Sequence, residues 1–128
     1  MKSILLFAIL TFSIPAFSSN DEALSNIAGV YAGSLLSNGD MLPVTTHFTL
    51  SDQGELTGTY ELIEEDGSEA GTLKNINVNS DFFLTMTWED KYGEGTLRVL
   101  FSEDYSVFKG FWGDSGNLIT LDWDGAKQ

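Results

Sequence analysis

Few residue types in this chain could carry chemistry. There is one histidine, His47, and there are no cysteines. His47 takes the outward parity of its strand between Thr45 and Thr49, beside Thr59. It has no second histidine for zinc and no nucleophile to serve as base. Acid–base catalysis needs carboxylates buried close enough to drive their pKa values apart, and no inward pair of Asp or Glu is visible. The expectation is therefore that the protein is not an enzyme. What remains is aromatic and acidic. Tyr60, Leu62, Trp88 and Trp112 point inward near strand ends whose turns gather Asp40, Glu64, Glu65, Asp66, Glu69, Glu89, Asp90 and Asp114. Indole faces attract cations and apolar bodies alike, and a concave aromatic site with a few polar groups suits a small molecule. These four are the expected ligand-binding residues, for a small hydrophobic or cationic ligand. The competing expectation is that the aromatics merely fill a tapered barrel, because eight strands enclose little more than their own side chains.

Other candidates are weaker. Glu64-Glu65-Asp66-Gly67, Asp114-Ser115-Gly116-Asn117 and Asp122-Trp123-Asp124-Gly125 offer hard oxygen ligands suited to calcium. None has the spacing of a complete calcium loop, and acidic clusters are ordinary in turns. No metal and no cofactor are expected. Arg98 and Lys109 are read as facing each other on the outer surface, a like-charge pair costing about 0.5 kcal/mol.

Composition narrows the partners. Met1–Ser19 has the form of a cleaved signal peptide: Lys2, an apolar run over Ile4–Phe17, and the small-x-small context Ala16-Phe17-Ser18. That run falls short of the roughly 20 residues a spanning helix needs, so stable membrane insertion is not expected. Residues 20–128 are read as one domain. Export without disulfides suits a bacterial periplasm or the exterior. With Lys2 in the leader, five basic against nineteen acidic side chains leave −14 on the remainder. Polyanions would be repelled, which excludes nucleic acid and anionic membrane surfaces. Cationic small molecules and basic proteins stay open. The second expected role is thus an acidic inhibitor or interaction module against a basic secreted protein, with charge complementarity speeding association.

The elements that must hold the aromatic residues are strands. Phe82–Trp112 reads as three strands and two tight hairpins, with Phe82, Leu84, Met86 and Trp88 alternating on one face. Pairing Trp88 with Gly93 sets Met86 against Gly95, Leu84 against Leu97 and Phe82 against Val99. A turn at Glu103-Asp104 then sets Val99 against Phe108, Leu97 against Gly110 and Gly95 against Trp112. A one-residue slip would turn all of these outward. Upstream, Asn20–Asn26 forms one capped turn, and Ile27–Leu36 is the first strand, its inward parity open. Ser37–Asp40 is a turn. Asp52-Gln53-Gly54 is a three-residue hairpin loop that pairs Leu50 with Leu56, Phe48 with Gly58, Thr46 with Tyr60 and Val44 with Leu62. Beyond the acidic turn at Glu64–Glu69, Ala70–Val78 is a strand with Ile76 and Val78 inward. Gly113–Asn117 makes the last hairpin, after which Ile119, Leu121 and Trp123 face in. The pattern is all-β: eight strands in an antiparallel up-and-down meander that closes into a barrel, with a two-sheet β-sandwich as the alternative. One end collects the acidic turns and the four site residues. The other is expected to be closed by Trp123 and the N-terminal segment.

Three motifs carry a resemblance. Gly54-Glu55-Leu56-Thr57-Gly58-Thr59-Tyr60 resembles the second hairpin of avidin-type proteins. Thr85-Met86-Thr87-Trp88 is similar to the tryptophan-bearing strand that the avidins turn toward their ligand. Gly29-Val30-Tyr31 resembles the glycine-x-tryptophan signature of the wider calycin group (lipocalins, avidins, fatty-acid-binding proteins), with tyrosine replacing tryptophan. The resemblance implies a calycin-like eight-stranded barrel. Gly33 stands where the avidins carry an asparagine for the biotin ureido oxygen, so it does not imply biotin as the ligand.

Overall fold

The structure, a computed structural model, describes residues 22–128. The leader read over Met1–Ser19 lies outside the described residues. A helical turn at residues 22–27 precedes eight strands: β1 (Gly29–Ser37), β2 (Asp40–Leu50), β3 (Leu56–Glu64), β4 (Gly67–Val78), β5 (Phe83–Asp90), β6 (Gly93–Phe101), β7 (Val107–Asp114) and β8 (Leu121–Lys127). Each runs antiparallel to the next. β8 returns to β1 through Tyr31 opposite Lys127, Gly33 opposite Gly125 and Leu35 opposite Trp123, so the sheet is a closed barrel. Closure pairs both edges, and the two-sheet alternative is excluded. Among the described residues, no helix is long and apolar enough to cross a membrane.

Strand β2 alternates as the sequence reads, with Val44, Thr46 and Phe48 buried and Thr45, His47 and Thr49 turned outward. Its ladder with β3 has the expected register, from Leu50 opposite Leu56 to Val44 opposite Leu62. Gly54, at φ 84°, provides the left-handed residue this hairpin needs. His47 is exposed beside Thr59, as expected.

Two later registers differ from expectation by two residues each. Trp88 faces Gly95, Met86 faces Leu97 and Leu84 faces Val99. The turn has only Lys91 and Tyr92 at its tip, because Asp90 Oδ1 accepts the Tyr92 N–H at 2.8 Å and Asp90 pairs with Gly93. In the next hairpin Phe101 faces Phe108, Val99 faces Gly110 and Leu97 faces Trp112. That turn holds Tyr105 at φ 59°, stapled by Asp104 Oδ1, which accepts from Ser102 Oγ and from Ser106 Oγ and N–H. A shift of two preserves the face, so Leu97, Val99 and Phe108 are buried regardless. Phe82 lies just before β5, and its ring packs on Tyr105 with centroids 5.4 Å apart.

The shift also removes the expected Arg98–Lys109 pair. Arg98 stands opposite Phe111, and Lys109 opposite Leu100 on one side and Asp124 on the other. Lys109 Nζ lies 3.9 Å from Asp124 Oδ1. In β4 the inward anchor is Leu73, because a register break between Lys74 and Asn77, with Asn75 at φ 54°, interrupts the alternation. Ile76 is half-buried against the core, and Val78, expected inward, is 46% exposed.

Strand β1 turns Tyr31 and Leu35 inward. Tyr31, Phe48, Phe101 and Phe108 then fill the base of the barrel, every pair of rings 5.3 to 6.4 Å apart. Such tilted and edge-on pairs each add about 0.5–1.5 kcal/mol beyond their burial. The helical turn lids this base with Ala23 and Ile27, both buried, and Tyr31 Oη donates to the Ile27 carbonyl at 2.7 Å. Lys127 Nζ donates to the carbonyl of Asn26, tying the last strand to the same turn.

Candidate functional site

At the opposite end the barrel is not filled. Tyr60, Leu62, Trp88 and Trp112 line one cavity of about 270 Å³. Glycines make room for two of them. A Cβ at Gly71 would come within 2.1 Å of Tyr60 Cζ, so the phenol lies against a bare stretch of β4. Gly95, opposite Trp88, is equally bare: a Cβ there would come within 2.8 Å of Trp88 Nε1. Trp88 can therefore reach across β6 and donate from Nε1 to the Gly113 carbonyl of β7 at 3.1 Å. This brings it edge-on to Trp112, centroids 5.3 Å apart at 89°. Trp112 Nε1 donates to the Leu36 carbonyl at 3.1 Å.

Trp123 was expected to close the far end, and the structure corrects this. A tight turn over 113–117 would carry Trp123 down toward Phe108. Instead the ladder resumes with Leu121 opposite Trp112, and Trp123 sits opposite Gly110. It thereby becomes part of the cavity lining, edge-on to Tyr60 with centroids 4.8 Å apart. Its Nε1 donates at 3.0 Å to Thr46 Oγ1, and Thr46 is the sole buried polar residue among the described ones.

The rim is acidic. Glu64, Asp90 and Asp114 line the cavity, and among the described residues no lysine or arginine does. Tyr60 Oη donates to Asp90 Oδ2 at 2.6 Å. Burial, reinforced by the Asp90 carboxylate and by the charges of Glu69 and Glu89, pushes the Tyr60 phenol far above its ordinary value. Tyr92 Oη donates to both oxygens of Glu64, at 2.8 and 3.0 Å, and this bond raises the Tyr92 phenol as well. The β5–β6 turn is thus strapped to the end of β3. Lys91 pairs with Glu69 at 3.4 Å and lies over the Tyr92 ring, while Lys74 pairs with Glu89 at 2.9 Å. Among the described residues, no group of three or more His, Cys, Asp or Glu is placed to hold a metal ion.

All four residues expected from the sequence are brought together. Tyr92, Trp123, Leu35, Ser37 and Asn38 were missed. Tyr92 would have been found by a two-residue β5–β6 turn, and Trp123 by a longer β7–β8 connection. Ser37 and Asn38 belong to a turn that reads only as a turn. No family model, curated protein or solved structure matches this chain.

Proposed function

We propose that this barrel is a non-catalytic binding protein, exported after loss of its leader, that takes a small hydrophobic or cationic ligand into its mouth. One observation carries the reading. The base of the barrel is packed with interlocking rings, whereas the mouth leaves about 270 Å³ open between aromatic walls. Protein interiors otherwise pack as densely as organic crystals. At about 30 Å³ per water molecule, the space suits a ligand of about ten non-hydrogen atoms. The resemblance of Thr85–Trp88 to the tryptophan-bearing strand that the avidins turn toward their ligand supports the same placement.

The chain's three tryptophans, Trp88, Trp112 and Trp123, all line this cavity, so intrinsic fluorescence reports on it directly. A panel of small hydrophobic and cationic compounds should yield saturable changes in tryptophan emission. Calorimetry should show that Leu62→Phe, which fills the space, abolishes the binding. A flat response to the whole panel would overturn the proposal. A second reading draws on the same end: Glu65 and Asp66 project, exposed, from the β3–β4 turn beside the mouth, a surface complementary to a basic protein. Salt-sensitive capture of a basic secreted protein, lost when both residues are neutralised, would favour it.

A further inference from the structure

We infer that the ligand of the mouth is an organic cation, a compact ammonium with an apolar body. The inference rests on the mouth being a binding site and follows from where its hydrogen-bond donors are spent. The indole N–H groups of Trp88, Trp112 and Trp123 donate to the Gly113 carbonyl, the Leu36 carbonyl and Thr46. The phenols of Tyr60 and Tyr92 donate to Asp90 and Glu64. All five aromatic donors are therefore turned into the protein's own framework, which leaves their rings to line the cavity. The donors left over belong to Ser37 and Asn38, side by side on one turn at the rim.

What the cavity offers a guest is acceptors. Each carboxylate has about four lone-pair sites. Asp90 uses two of its sites, for Tyr60 and the Tyr92 N–H. The Asp114 carboxylate has no hydrogen-bond partner among the described residues, although the Asp114 main-chain carbonyl accepts from Asn117. An anion, or a carbonyl compound needing donors, would leave these acceptors desolvated and unpaired, a costly arrangement. A cation is attracted by the aromatic rings and by the carboxylates, and among the described residues the lining holds no lysine or arginine to oppose it. The protein supplies its own precedent, since Lys91 Nζ lies 5.1 Å from the Tyr92 ring centroid.

The test compares phenyltrimethylammonium with tert-butylbenzene, its neutral isostere of the same shape, by calorimetry and tryptophan emission. The cation should bind about tenfold more tightly or better. Its affinity should fall with added salt and, in Asp114→Asn, should fall several-fold more than that of the neutral isostere. If the isostere binds as tightly as the cation, the cation inference is overturned while the mouth remains a binding site. If neither compound nor any other in the panel perturbs the tryptophans, the mouth reading fails and this inference fails with it.

Discussion

Thr46 and Trp123 allow the positioning of the cavity floor to be measured. Thr46 is fully buried, and its hydroxyl is the acceptor for the Trp123 indole N–H at 3.0 Å. Thr46→Val keeps the shape and removes the acceptor, leaving a donor buried without a partner at a cost of about 1–3 kcal/mol. The added methyl recovers part of this through burial, about 0.8 kcal/mol at most. The net loss expected is about 1–2 kcal/mol, which for a domain spanning residues 22–128 lowers Tm by about 4–8 °C. Thermal unfolding followed by circular dichroism gives this value directly. The decisive measurement is the double-mutant cycle. In a Trp123→Phe background the orphaned donor is gone and the Thr46 hydroxyl has itself lost this partner, so Thr46→Val should be neutral or slightly stabilising, and the coupling energy should be about 1 kcal/mol or more. Equal costs in the two backgrounds would refute the claim that this hydrogen bond, rather than packing around Thr46, holds Trp123 under the mouth.

Gly71→Ala places a methyl where the Tyr60 phenol lies; it should destabilise by about 1–3 kcal/mol and, by pushing the phenol out of its buried seat and away from Asp90, lower its titration toward the ordinary phenol range, as read by phenolate absorbance. Burial raises the Tyr31 phenol from its ordinary value to about 12. Both states are neutral below about 10, so its contribution to stability is complete there and is lost as pH rises from about 10 to about 12. Urea midpoints taken across that range should fall steadily, and a native protein whose four tyrosines all titrate with midpoints near 10 would contradict the burial. Gly39 holds φ 85° at the centre of the β1–β2 turn beside Asn38 at φ 52°, so Gly39→Val should cost about 1–2 kcal/mol, seen as a lower denaturant midpoint with unchanged slope.

The parts of the fold legible in the sequence share a cause. Val44, Thr46, Phe48, Tyr60, Leu62, Leu84, Met86, Trp88, Leu97, Val99 and Phe108 are all buried, and each could be assigned inward by counting in twos. The β2–β3 register was legible in addition because Asp52-Gln53-Gly54 admits one compact hairpin, and that hairpin placed Tyr60 correctly across from Thr46. Where the turn was ambiguous, around Lys91-Tyr92 and around Asp104-Tyr105, inward residues stayed inward while their partners moved by two. Only the bulge at Asn75, which breaks the count itself, left a predicted inward residue, Val78, half exposed.

By itself the sequence therefore determined which face of each ribbon is apolar, that eight such ribbons follow one another through short turns, and that Tyr60, Leu62, Trp88 and Trp112 share an end with Glu64, Asp90 and Asp114. The pleat repeats every two residues, so these facts survive any even slip. How high each side chain stands along the barrel axis was decided only by the tertiary structure, because height depends on turn lengths and on the β8–β1 closure that links the turns into one ring. The β7–β8 register lifts Trp123 to the mouth, the two-residue β5–β6 turn sets Trp88 over Gly95 and beside Trp112, and the β8–β1 ladder closes the ring around a filled base and an open mouth.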